Sequence, residues 1–193
     1  MKSLIFGLVL IFSIHSANAN VCYPDSYGKV AQDALKILAQ VKNDEREIYL
    51  ISGNYLIARS DYIQKTEEIE QKRKQATSRI EFERLDVEMQ NVNYDFCFQE
   101  VFEAEKKFIE LKDRLQNLDT QNINKSVSNL KTWARWCDKE RKHGIETELS
   151  SMAAELLHFR DTLSKWMIED INLEIASIDY LKGCRDFIKS ISK

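Results

Sequence analysis

The chain has 193 residues, of which 44% are hydrophobic and 31% charged, with a formal net charge of −3. One Pro and five Gly are too few for the tight turns of an all-β chain of this length, and the composition also excludes collagen-like and disordered classes. A net acidic chain lacks the basic excess usual in nucleic-acid binders, so no nucleic-acid partner is expected.

The first segment reads as an export signal. Lys2 is its positive start, Leu4 to Ile14 its apolar stretch, and Ala17-Asn18-Ala19 a small-x-small cleavage site. The expected organisation is a signal peptide at 1–19 and a single helical domain at 20–193. An apolar run of about ten residues is half of the roughly 20 that a membrane span needs, and no later stretch approaches that span length without charges. The expected destination is extracellular, or the periplasm if the source is a Gram-negative bacterium.

The first helix starts near Asp25 or Ser26, behind Pro24. Val30, Ala34, Leu35, Leu38 and Val41 make one apolar stripe. Asn43 then reads as a second cap, with Asp44, Glu45 and Glu47 in a favourable first turn. Two helices are the favoured division here, one uninterrupted helix the alternative. The next stretch runs to Lys74, with Ile48, Tyr55, Tyr62 and Ile69 seven apart and Gly53 a place for a bend. It ends in Lys72-Arg73-Lys74, read as cations at the negative end of a helix dipole and not as a binding patch.

Ser78-Arg79-Ile80-Glu81 has the capping-box pattern and opens a new helix. From there Val87, Tyr94, Val101, Phe108 and Leu115 form one heptad column; Gln90, Cys97, Ala104, Leu111 and Leu118 form the column three residues on. The polar run from Asp119 to Lys125 reads as a connection at which the chain reverses, and a fourth helix as running from Ser126 to Lys142 with Gly144 just past its end. The last helix runs from Glu146 nearly to the C-terminus. Leu149, Leu156 and Leu163 form one of its columns, broken at Asp170 and Ser177; Met152, Phe159, Trp166, Leu173, Tyr180 and Phe187 form the other. Long amphipathic helices joined by short polar connections predict an all-α, elongated antiparallel bundle with coiled-coil-like seams. Those seams also allow a homo-oligomer.

Cys22, Cys97, Cys137 and Cys184 are even in number in an exported chain, which predicts two disulfides. A reversal near residue 121 would bring Cys97 opposite Cys137 and leave Cys22 for Cys184, so Cys97–Cys137 and Cys22–Cys184 are the expected pairs. Asn124-Lys125-Ser126 is a glycosylation sequon, relevant only in a eukaryotic source.

Two Glu-x-x-His motifs, Glu140 to His143 and Glu155 to His158, have the spacing used in di-iron bundles. The first lies among charges at a helix end and the second flanks its seam, so the reading is of solvated patches: no metal, no cofactor and no catalytic residue is expected. Neither a Gly-x-Ser-x-Gly elbow nor a phosphate loop occurs.

The most distinctive segment is Lys125 to Lys142, at net +4 within an acidic chain. Lys131, Arg135 and Lys139 are four apart and form a stripe beside Trp133 and Trp136. These five residues are the candidate binding site, for a protein or another anionic macromolecule. The bland reading makes Leu130, Trp133 and Cys137 core positions and pairs the cations with acidic neighbouring helices. The expected function is that of a secreted or periplasmic non-enzymatic protein that binds another macromolecule. A carrier of a small apolar ligand between the helices is the second reading, and a metal-dependent enzyme the third.

Overall fold

A computed structural model describes residues 22–191, without the side chain of Ser26, so the expected signal peptide lies outside the described residues. Among these, seven α-helices and no strand are found: α1 (Pro24–Gln75), α2 (Arg79–Asp95), α3 (Phe102–Gln116), α4 (Thr120–Lys139), α5 (His143–His158), α6 (Ser164–Ser177) and α7 (Leu181–Ile191). No described helix is long and apolar enough to cross a membrane.

Helix α1 is the spine. Its 52 residues span about 78 Å at 1.5 Å per residue. Pro24 sits in its first turn, where the missing N–H costs nothing. The expected division at Asn43 is overturned. Asp44 is buried, accepts from Gln40 Nε2 at 2.9 Å, and pairs with Arg114 of α3 at 3.4 Å. The acidic group that resembles a cap answers a cation on the next helix instead. Ala34, Val41, Ile48, Tyr55, Tyr62 and Ile69 stand seven apart without a phase break, and all six are buried or half-buried, so one stripe crosses Asn43 uninterrupted.

The chain reverses at 76–78. Ser78 caps α2 by accepting from the Glu81 N–H at 3.2 Å, as its spacing predicts. Helices α2, α3 and α4 then return along the whole of α1. Tyr62 bonds Asn93, Arg114 pairs with Asp44 and Glu47, and Cys137 bonds Cys22. The polar run after Leu118 is therefore not a reversal. Asp119 caps α4, its carboxylate accepting from the Asn122 N–H at 2.9 Å, and α4 carries on in the direction of α3. The true second reversal is at 140–142, where Arg141 takes φ 60°. Gly144 lies inside α5 and is not the helix terminator. Helices α5 and α6 run back beside α4, α3 and α1, and a third break at 178–180 sends α7 across the bundle.

That topology corrects the disulfides. The bonds are Cys22–Cys137 and Cys97–Cys184, with Cα–Cα distances of 5.1 and 5.3 Å. Since α4 continues α3, Cys97 and Cys137 lie some 40 residues apart along one direction, about 60 Å, and cannot meet. Cys137 instead reaches the start of α1, and Cys97 the start of α7.

Two π-helical turns, Phe96–Val101 and Phe159–Leu163, adjust the seams. Each inserts one residue, marked by a bond from the Phe102 N–H to the Cys97 carbonyl and from Ser164 to Phe159. Before the first turn the inward positions are Leu85, Met89, Val92 and Phe96; after it they are Cys97, Val101, Ala104, Phe108 and Leu111. Val87, Gln90 and Tyr94, placed on the seam by strict heptads, face solvent. The same slip in the last hairpin arm turns Trp166, Asp170, Leu173 and Ser177 outward, and Met167, Ile171 and Ile178 inward. The polar interruption read at Asp170 and Ser177 is this one-residue shift. It also lets two consecutive side chains face inward: Phe96 stacks on Tyr62 at 4.1 Å while Cys97 bonds Cys184.

Phe108, Phe159, Leu111, Leu130, Leu149, Leu156 and Ile171 are fully buried. Each contributes about 1.5–3 kcal/mol of apolar burial.

Candidate functional site

Helix α4 is amphipathic. Ile123, Val127, Leu130, Ala134 and Cys137 are buried, and α5 and α1 cover them. The opposite face carries Lys131, Arg135, Trp136 and Lys139, all exposed. The spacing of four that defines the stripe in the sequence thus holds it on one outward face. Trp133 is half-buried against the core and Trp136 is 44% exposed, so the two tryptophans play different parts. The Lys139 ammonium lies 4.7 Å above the Trp136 ring, which orients the indole without removing it from solvent.

The expectation that neighbouring acidic helices neutralise these cations is not met. Among the described residues neither Lys131 nor Arg135 has an ion-pair partner, and Lys139 has only the indole. The structure brings Lys131, Arg135, Trp136 and Lys139 together on one surface and sets Trp133 beneath its edge. Beyond the stripe, Lys142 Nζ donates to the Cys22 carbonyl at 3.1 Å and lies 5.0 Å over the Tyr23 ring, and the Cys22 N–H donates to Glu140 at 3.1 Å. These contacts and the Cys22–Cys137 bond fasten the stripe's C-terminal end to the start of α1.

The two Glu-x-x-His motifs do not converge. Glu140 is engaged with Cys22, His143 Nδ1 lies 3.3 Å from Asp138, and His158 stands edge-on to Trp166 at 6.3 Å. No group of three or more His, Cys, Asp or Glu side chains placed to hold a metal ion occurs among the described residues. Asn124 is exposed on α4 and its side-chain oxygen accepts from Arg160, while Ser126 of the same sequon is buried in the helix.

A polar cluster that the sequence does not announce closes the α6–α7 corner. Tyr55 Oη donates to Asp179 Oδ1 at 2.8 Å, and Arg59 pairs with Asp179 Oδ2 at 2.7 Å. Burial raises the Asp179 pKa, but the bonds from Tyr55 and Arg59 outweigh it and hold the carboxyl below its ordinary value. Burial first, and then Asp179, pushes the Tyr55 phenol above its ordinary value. The only signal in the sequence is the apolar Ile178 next to Asp179, on a segment whose heptads read as continuous helix.

A groove of about 400 Å³ lies between α1 and the first π turn, open to solvent and lined by Asp61, Lys65, Asp95 and Gln99 beside Ile57 and Phe96. A smaller apolar pocket of about 190 Å³ is formed by Ile37, Val41, Leu118, Ile123 and Phe159. No family of proteins, curated protein or solved structure matches the chain.

Proposed function

We propose that this is an exported, non-enzymatic protein that works by binding an acidic macromolecular partner through the outward face of α4. The observation that carries the reading is the set of exposed Lys131, Arg135 and Lys139 beside Trp136, with no acidic side chain among the described residues paired to them. An exposed aromatic among cations is the composition of a docking centre, and cations at its edge raise association rates. The two disulfides and the leader-like residues 1–19 support an oxidising, extracellular setting. The apolar-carrier reading has weaker support. Ligand pockets run from about 300 to 1,000 Å³ and are mostly apolar. The apolar pocket at Ile37 and Phe159 is below that range, and both the 400 Å³ groove and a cavity of about 600 Å³ beside Lys182 and Asp186 are lined by charges.

The tryptophan pair tests this reading. With immobilised polyglutamate as the acidic probe, Trp136→Ala should weaken binding severalfold and change stability by less than about 0.5 kcal/mol. Trp133→Ala should cost up to about 3 kcal/mol and leave the affinity of the folded fraction unchanged. Equal binding by wild type and Trp136→Ala would remove the indole from the site.

A further inference from the structure

Helix α1 buries one apolar stripe, Ala34, Val41, Ile48, Tyr55 and Ile69, in the core, and it carries a second apolar face that the core does not use. Between Ile48 and Ala58 no residue is charged. Ile48, Ile51 and Tyr55 face the core. Tyr49, Leu50, Leu56 and Ile57 face outward and are 68%, 50%, 57% and 65% exposed. Gly53 lies between them, and a Cβ built on it would meet no atom within 4 Å.

We propose that this face binds a second copy of the chain, with two α1 helices crossing antiparallel on a two-fold axis through Gly53. The argument is the symmetry of the band. Leu50 and Leu56 lie three residues to either side of Gly53, and Tyr49 and Ile57 four residues to either side. Three and four are the spacings that share one helix face. In an antiparallel pair each position before Gly53 meets the equivalent position after it, so Leu50 packs on Leu56 of the second copy and Tyr49 on Ile57. Such a patch is self-complementary, as an isologous contact requires. Glycine at the crossing lets the two backbones approach more closely than the 8–10 Å usual between helices. Charge agrees at the margins. Arg46, seven residues before Gly53, and Asp61, eight after, are both exposed and have no ion-pair partner among the described residues; the crossing brings each toward the other across the axis. Glu45, beyond Arg46, falls at the outer edge, where the helices diverge. A stable interface of about 800 Å² per partner needs these flanks as well as the apolar band. The contact is independent of the α4 stripe, which lies beside the start of α1, about 30 residues from Gly53.

Sedimentation velocity of the oxidised protein across a concentration series tests the proposal. Wild type should show a concentration-dependent dimer. Gly53→Lys and Leu56→Lys should each raise the dimer dissociation constant at least tenfold, with helicity and melting temperature not lowered, since both side chains project into open space. Leu50→Glu combined with Leu56→Lys should restore the dimer. The two positions are six residues apart on one helix, roughly 9 Å, and pair only across an antiparallel axis. A wild type that stays monomeric at millimolar concentration overturns the proposal and leaves the band to another occupant. A dimer indifferent to Gly53→Lys overturns the site, and a double variant no better than either single one overturns the antiparallel register.

Discussion

The molecule has two basic clusters, near opposite ends of α1, and they have different fates. Lys72-Arg73-Lys74 closes α1 at the 76–78 reversal. There Arg73 pairs with Glu70 at 2.8 Å and Asp86 at 2.7 Å, and its guanidinium lies 4.8 Å over the Phe82 ring. Consecutive residues on a helix diverge by about 100°, so Lys72 and Lys74 point away from each other. Lys131, Arg135 and Lys139 share one face, and no acidic side chain among the described residues pairs with them. A run of charge in a sequence is therefore a poor guide to a surface, whereas charge at helical spacing with unpaired neighbours is a better one.

The packing beneath the two clusters differs as well. The α4 cluster stands on three packed helices, with Leu130, Ala134, Leu149 and Ala153 buried near it. The other end is a two-helix hairpin in which Ile69 and Leu85 are the main fully covered side chains, and Ile80, Phe82 and Val87 are exposed. The largest expected effect follows at the α4 end. Leu130→Ala should lower global stability by about 3–5 kcal/mol in chemical denaturation. Replacing Cys22 and Cys137 by Ala removes a bond closing 115 residues and should cost about 2–4 kcal/mol, and amide exchange should quicken first around Cys22 and 137–142. Leu85→Ala should cost about 2 kcal/mol but act locally, speeding exchange in 63–95 while α4 keeps its protection. Equal loss of protection in both regions would mean that the bundle unfolds as one unit and that the two ends are not distinct.

A smaller effect is tied to pH. Asp179 has a folded pKa below its unfolded value, so its bonds to Tyr55 and Arg59 contribute stability above the ordinary carboxylate range, lost as pH falls through the folded value. Hydrogen exchange in α7 should accelerate below about pH 4, and Asp179→Asn should abolish that dependence. Cys97–Cys184 keeps α7 attached throughout, so the change should be a loosening and not a release.

Much of the fold is legible in the sequence, and what is not has identifiable causes. The period of seven marks the long helices, and Ser78 with Glu81 marks the start of α2. The period cannot tell a reversal from a kink. Asp119 to Lys125 is polar enough for a loop, but Asp119 caps the next helix in line, and one wrong direction exchanged both disulfide partners. Nor does it show a π turn, because one inserted residue leaves each half periodic and only shifts their phase, so strict heptads put the exposed Val87 and Trp166 on the seam. The α4 stripe is legible because its spacing of four lies within one unbroken helix. The corner at Asp179 is not, because its partners on α1 lie about 120 residues away in sequence.

The most direct measurement compares the two clusters by surface plasmon resonance on immobilised polyglutamate at two salt concentrations. Three proteins are needed: wild type, Lys131→Glu/Arg135→Glu/Lys139→Glu, and Lys72→Glu/Lys74→Glu. The account predicts that reversing the α4 stripe slows association by tenfold or more, flattens its salt dependence and changes stability by less than about 0.5 kcal/mol. The Lys72/Lys74 variant should associate within about twofold of wild type. Equal losses in both variants, or unfolding of the α4 variant, would contradict the assignment of α4 as the docking surface.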